Sequence, residues 1–192
     1  MERKKFCEIM AVIFIMTAVG FLGNTVTAES KDINISWESE GKFRVVEFPR
    51  AGWISPTGHN DPADAWHDEP YAYDNNTGTK AGCTILEFGW WWTPWIELTL
   101  NSPTDISKIR FFAWYDYYHC NEVDVDLYYG GGWHNLYQGS YPDRQWMEYA
   151  INMHDVTAAR LSFHVQRWLL YPVTADLHEF QFYRVGYGPL DP

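Results

Sequence analysis

Side-chain oxygens crowd one short segment of this sequence, Ala72-Tyr73-Asp74-Asn75-Asn76-Thr77-Gly78-Thr79-Lys80-Ala81. Asp74, Asn76, Thr77 and Thr79 fall close together, and Gly78 permits a tight bend. Hard cations such as calcium take about six to eight oxygen ligands, many of them loop carbonyls. The segment suits such an ion, and an Asx-rich surface turn has the same composition. Three other segments concentrate aromatic rings: Trp90-Trp91-Trp92-Thr93, Tyr115-Asp116-Tyr117-Tyr118-His119 and Gln166-Arg167-Trp168. Aromatic faces cover the apolar face of a sugar ring, while a few polar groups read its hydroxyls. Core or inter-loop packing is the competing use of the same rings. Three adjacent tryptophans cannot all face the core of an alternating strand, so at least one packs elsewhere.

Other chemistries find less support. No pair among the seven histidines has the helical spacing of a zinc site, and His178-Glu179 lacks a second histidine. His59 and His67 share an acidic loop without further ligand pattern. The row Glu122, Asp124, Asp126 invites a catalytic carboxylate pair. Its strict alternation with Val123, Val125 and Leu127 instead marks the solvent face of a strand. No Ser-His-Asp or Cys-His arrangement is recognisable. The chain reads as non-catalytic.

Period-two alternation dominates the elements that must position these residues. Ile96, Leu98 and Leu100 alternate with polar residues, as do Ile109, Phe111 and Ala113 beside Arg110 and Phe112. Val123 to Leu127 and Leu161 to Val165 repeat the pattern, and so do His178, Phe180 and Phe182 against Leu177, Glu179 and Gln181. Each run predicts a strand with one buried face. Asn101-Ser102-Pro103-Thr104-Asp105 reads as a turn between two strands, and Gly130-Gly131-Gly132 as a hairpin. About eight short strands predict an all-β fold, a single sandwich or jelly roll. The stretch from Ser55 to Thr79 is too long and polar for a plain connection, and such loops are usually functional.

Arg3, Lys4 and Lys5, then the uncharged run Ile9 to Gly23, then Val26-Thr27-Ala28 follow the pattern of a cleaved signal peptide over residues 1–28. The apolar run falls short of the roughly 20 residues that span a bilayer. The mature part, 29–192, is expected to be one domain, extracellular or at the cell surface, with no transmembrane segment after cleavage. Formal net charge is −11, and the leader is itself basic, so the remainder is more acidic still. That excludes nucleic acid and weakens docking on anionic lipid, both of which need clustered Lys and Arg. In an exported chain Cys83 and Cys120 are most economically read as one disulfide, with two buried free thiols as the alternative. Asn34-Ile35-Ser36 and Asn75-Asn76-Thr77 are glycosylation sequons.

Taken in order, four segments resemble discoidin-like domains, also called coagulation-factor type C domains, of the galactose-binding jelly-roll superfamily. Ala72, Asp74, Asn76 and Thr79 fit that family's calcium loop, with Asn75 where glycine is usual. Trp95-Ile96-Glu97-Leu98, Ile106 to Phe111, and Ala175-Asp176-Leu177-His178-Glu179-Phe180 fit its later strands. The resemblance covers about Trp53 to Tyr183. It implies a structural calcium with Asp74 and Glu179 as carboxylate ligands, Thr79 giving hydroxyl and carbonyl, and Asn76 its carbonyl. Asn tolerates the left-handed backbone that the glycine position demands better than most residues. It also implies a shallow sugar pocket at one end of the sandwich, for which Trp92, Tyr118, His119, Arg167 and Trp168 are the candidates. The expected function is an exported glycan-binding module. An adhesion component that binds a surface protein through the same loops is the alternative, with a jelly-roll lyase or glycosidase behind both. Loop aromatics of this kind insert into membranes in some discoidin-like domains, a use that the negative charge disfavours.

Overall fold

The computed structural model describes residues 31–38, 42–168 and 172–186. The leader and the last six residues lie outside the described part. The described chain is all-β apart from one 3₁₀ turn, Glu69–Ala72. In order it forms β1 (Lys31–Glu38), β2 (Lys42–Pro49), β3 (Gly52–Ile54), β4 (Gly58–Asn60), β5 (Trp66–His67) and β6 (Ala81–Ile85). There follow β7 (Gly89–Trp92), β8 (Ile96–Ala113), β9 (Cys120–Tyr129), β10 (Gly132–Gly139), β11 (Trp146–Arg167) and β12 (Val173–Arg184). The first two pair as a separate hairpin. The others pair antiparallel in the order β10-β9-β11-β8-β12-β6-β5, with β3 on β12, β4 on β8 and β7 on β11. Among the described residues no helix is long and apolar enough to cross a membrane.

Two long strands make this sheet a sandwich. The first half of β11, Trp146 to Ala150, pairs with Phe112 to Lys108 of β8. The second half, Ala158 to Leu161, pairs with Thr99 to Ile96, and on its other side with β9. Between the halves the register slips at Met153 and Val156. Asn152 (φ 64°) and Asp155 (φ 54°) take the left-handed backbone there. Extra residues bend a strand, so β8 and β11 each serve both layers. Trp66 of β5, at one margin of the pairing order, consequently reaches Phe163 of β11, with ring centroids 6.0 Å apart. Tyr141 contacts both Phe111 and Phe163 from the two halves. The single jelly-roll sandwich expected from the alternation is the architecture found.

The buried faces also follow the alternation. Ile96, Leu98, Ile109, Phe111, Val123, Val125, Leu161, Phe163 and Val165 are all essentially inaccessible. Each large apolar side chain so buried contributes about 1.5–3 kcal/mol by area.

Three readings are corrected. Asn101 to Asp105 is no turn between strands: β8 runs through it without a break. The polar residues mark the bend between layers, where Asp105 accepts a hydrogen bond from the Asp155 amide at 3.2 Å. His178 is not on the buried face with Phe180 and Phe182. One extra residue between Leu177 and Glu179 shifts the β12 register on β8, so Leu177 takes the core position instead. Cys83 and Cys120 form no disulfide; both are buried free thiols. Cys83 lies on β6 between Trp66 and Ala175, whereas Cys120 opens β9 beside Val165. The Cys120 sulfur is engaged with the Tyr141 hydroxyl at 3.1 Å. Burial pushes both thiols up to about 12, so neither ionises at neutral pH. Alkylation in denaturant without reductant should therefore label both cysteines, and reductant should leave the melting temperature of the native protein unchanged. A single disulfide-linked species by mass would contradict the pairing seen here.

Candidate functional site

The oxygen-rich loop folds onto the last strand. Ala72 ends the 3₁₀ turn fully buried and fixes the loop's start. Asn75 takes φ 63°, the left-handed conformation that a glycine would otherwise supply. Its side-chain carbonyl accepts hydrogen bonds from Gln181 Nε2 at 2.9 Å and Ser55 Oγ at 3.0 Å. The Asn76 amide donates to Asp74 Oδ1 at 2.9 Å and to Glu179 Oε2 at 3.2 Å. Thr79 Oγ1 reaches Asp74 Oδ2 at 2.8 Å and the Asn76 carbonyl at 2.7 Å. His178 Nδ1 donates to the Thr77 carbonyl at 3.0 Å, a second tie from loop to strand. Asp74, Asn76, Thr79 and Glu179 are thus brought together from segments a hundred residues apart.

Glu179 is the unusual member. Its side chain is 1% exposed, and Oε1 has no hydrogen-bond partner. Burial, and next the charge of Asp74, push its carboxyl up to about 7, against the amides of Asn75 and Asn76, which favour the ionised form. A buried anionic oxygen without a partner is costly. A hard cation beside Oε1 would remove that cost, and every donor around it is oxygen. The set fits calcium by this chemistry, although among the described residues no three His, Cys, Asp or Glu side chains group closely enough to hold a metal by themselves. Carbonyl and hydroxyl oxygens would have to complete the shell.

The second feature is an open cleft of about 370 Å³ at the end of the sandwich. The loop between β8 and β9 forms one wall with Trp114, Asp116 and His119; the start of β12 forms the other with Val173, Thr174 and Asp176. Burial alone would raise the Asp116 carboxyl. Hydrogen bonds from the Tyr118 amide at 2.8 Å and from His119, whose Nδ1 lies at 3.2 Å, more than offset this and hold it below the usual carboxylate range. Asp176 Oδ2 accepts from Lys80 Nζ at 2.6 Å, while its buried Oδ1 has no partner. Asp176 and Thr174 also line a neighbouring cleft with His67, Tyr71 and Lys80.

The third feature is a row of rings on the outer face of β7 and β11. Buried Thr93 secures β7: its Oγ1 accepts the Phe163 amide at 2.9 Å and its carbonyl the Ser162 hydroxyl at 2.7 Å. Trp92 then lies opposite His164, and Trp90 opposite Gln166. The His164 ring stacks on Trp90 at 4.7 Å and lies tilted against Trp92 at 4.9 Å. Trp168 meets Trp90 edge-on at 6.4 Å. None of the three adjacent tryptophans enters the core; all are about 40–50% exposed.

The sugar-site candidates therefore divide. His119 lines the cleft, with Tyr118 exposed beside it. Trp92 and Trp168 stand in the ring row, and the Arg167 guanidinium lies 4.5 Å from the Phe88 ring centroid. The Gln166 amide donates to the His119 carbonyl at 2.7 Å, so cleft loop and ring row share one end of the sandwich. Sequence reasoning missed His164 and Asp176. His164 carried a signal in its outward position within the run Arg160 to Gln166. Asp176 carried none, because its role depends on a loop folded far from it in sequence.

No family model matches the sequence, and no curated protein matches it. Among solved structures, the family 32 carbohydrate-binding module of AlyQ in complex with 4,5-unsaturated mannuronic acid is similar at 13% identity and TM-score 0.46, over 69% of this chain and 98% of that one. A family 32 module of NanJ from C. perfringens in complex with galactose matches at 12% identity and TM-score 0.40, over 69% and 91%. An F5/8 type C domain from Bacteroides fragilis matches at 15% identity and TM-score 0.42, over 70% and 95%.

Glu179 generates a pH prediction. Its folded-state pKa lies above the unfolded value, so without a cation its contribution to stability is greatest below the ordinary carboxylate range and is lost as pH rises through about 7. In chelator the melting temperature should fall by a few degrees between pH 5 and pH 8 through this group, and Glu179→Gln should flatten that fall. An equally steep fall in the variant would remove Glu179 as its source.

Proposed function

We propose that this chain is an exported, non-catalytic module that recognises extracellular or cell-surface glycan and carries a structural calcium. The observation that supports it best is the open cleft with fixed polar groups on both walls. Trp114 offers an apolar surface, while His119 and Asp116 on one wall and Thr174 and Asp176 on the other supply polar groups for hydroxyls. Exposed Tyr118, Trp168 and Trp92 extend apolar surface at the same end. Asp116 is held ionised and Asp176 is paired with Lys80, so neither is arranged as the proton donor of a glycosidase pair. Export rests on the leader pattern of residues 1–28.

In this reading Asp74, Glu179, the Asn76 carbonyl and Thr79 hold the calcium. Its role is to balance the buried carboxylate and to pin the loop to β12. Millimolar calcium should raise the melting temperature by several degrees over chelator, and an unchanged value counts against the site.

A glycan array probed with the mature domain tests recognition itself; reproducible hits are expected, and a clean blank sinks the reading. His119→Ala and Asp176→Asn should each weaken a hit about tenfold, equivalent to about 1.4 kcal/mol. Trp168 is 63% exposed, so Trp168→Ala should weaken binding with little change in melting temperature. A large stability loss would instead make that ring a packing element.

A further inference from the structure

We propose that the cleft continues into its neighbour as a groove of two subsites, which takes a linear, uncharged oligosaccharide of at least two rings rather than a single terminal sugar. The proposal rests on the glycan reading above and names a ligand class for it. Trp114, Asp176, Gly82 and His67 are successive neighbours from the end of β8 across β12 and β6 to β5. The Trp114 amide donates to the Asp176 carbonyl at 3.0 Å, Asp176 lies opposite Gly82, and Gly82 lies opposite His67. At about 4.8 Å between strands this row is about 14 Å long, more than one pyranose covers. Trp114 lines the first cleft, Gly82 and His67 line the second, and Asp176 and Thr174 line both.

Each cleft brings one ring and its own polar groups. Trp114 serves the first, and Tyr71, 44% exposed, serves the second beside His67, Asp68 and Thr79. Aromatic faces of this kind cover the apolar face of a pyranose. Glycine at position 82 keeps the second cleft clear up to the shared wall. A Cβ there would stand 3.2 Å from Thr174 Cγ2 and 3.6 Å from Asp176 Oδ1. Thr174 is itself oriented by Thr84, hydroxyl to hydroxyl at 2.9 Å. The link between two sugar rings would cross that wall. Charge selects an uncharged chain. Lys80 is the only lysine or arginine among the lining residues, and its ammonium lies 2.6 Å from Asp176. Asp68 and Asp116 add carboxylates to the same groove, so a uronate or sulfated sugar would meet repulsion. Asp116 already accepts the Tyr118 amide and Asp176 the Lys80 ammonium, and their remaining lone pairs suit neutral hydroxyls.

The probes are length series, from monosaccharide to hexasaccharide, of β-1,4-mannan, β-1,4-xylan, β-1,4-glucan and β-1,3-glucan. They are titrated into the mature protein and followed by NMR, which reads weak binding, with a β-1,4-linked oligouronate run beside them. At least one series should bind. Its affinity should rise about tenfold or more from monosaccharide to trisaccharide and then level, because a second ring joined to the first binds at high effective concentration. The oligouronate should bind at least tenfold more weakly than the hexasaccharide of that series. Tyr71→Ala and Gly82→Ala should each cut the rise with length to less than threefold. Glu148→Gln, at a residue that lines neither cleft, should keep it. Y71A alters an exposed ring and keeps the test open should G82A not fold. A monosaccharide that binds as tightly as its trisaccharide, or an undiminished rise in Y71A, overturns the groove and leaves the cleft as a single-sugar site. An oligouronate that binds as well as the hexasaccharide overturns the charge selection. Blanks in all four series while the array scores other sugars overturn the groove too. An array blank for every sugar removes the groove and the glycan reading together.

Discussion

The interrupted pairing of β8 with β11 is the constraint on which the rest depends. Both strands are longer than one layer of the sandwich needs. Extra residues at Asn152 and Asp155 break the ladder and turn the strands through the corner. Bending strands there exposes polar backbone, and Asp105 meets that need. Its carboxylate takes the Asp155 amide at 3.2 Å and His154 Nδ1 at 3.1 Å, while its carbonyl takes the Val185 amide at 2.9 Å. One aspartate thus ties the bends of β8 and β11 to the end of β12. With the corner set, the halves of β8 and β11 must face each other, and Phe111 and Phe163 share Tyr141.

A sandwich made this way has two outer faces and two ends, and the chain uses its surplus aromatic residues on both. Each outer face carries an arginine between two indoles: Arg160 between Trp95 and Trp133, and Arg110 at 4.1 Å from both Trp53 and Trp146. Each arginine also has an acceptor partner on a neighbouring strand, Asp126 and Gln181 respectively. These contacts brace strands across the sheet and account for indoles that alternation left outside the core. The rings of β7 and Trp168 pack instead on His164 and edge-on against one another, and they keep much of their surface in water.

The core was legible because a period of two needs no knowledge of partners: Val123, Val125 and Leu127 point inward whichever strand lies beside them. What was illegible depends on register. A single extra residue near His178 exchanged it with Leu177, and nothing local in Leu177-His178-Glu179 signals a bulge. Asn101 to Asp105 carries turn chemistry, yet a corner between layers asks for the same polar residues as a turn between strands. The cysteine pairing failed for a related reason. Export makes a disulfide possible, but only the placement of β6 and β9 decides whether two sulfurs meet. Part of the shape of the oxygen-rich loop is a local demand. Asn75 in the left-handed position follows from residue type, and the convergence on Glu179 follows from the family resemblance. Asp176 stayed hidden because its partner Lys80 lies 96 residues away.

That pair links the two halves of the proposed site. Lys80 directly follows Thr79, the last donor of the loop, and its ammonium holds Asp176 at the cleft wall. Asp176 and Glu179 lie three positions apart on β12, the strand that the loop grips through the Asn76 amide and through His178. A cation that fixes the loop would therefore also fix Lys80, and through it the orientation of Asp176 at the cleft wall. In that arrangement a structural ion would contribute to recognition without touching the ligand. An ion on Glu179 would tighten the loop, the loop places an ammonium group, and the ammonium group sets the orientation of Asp176.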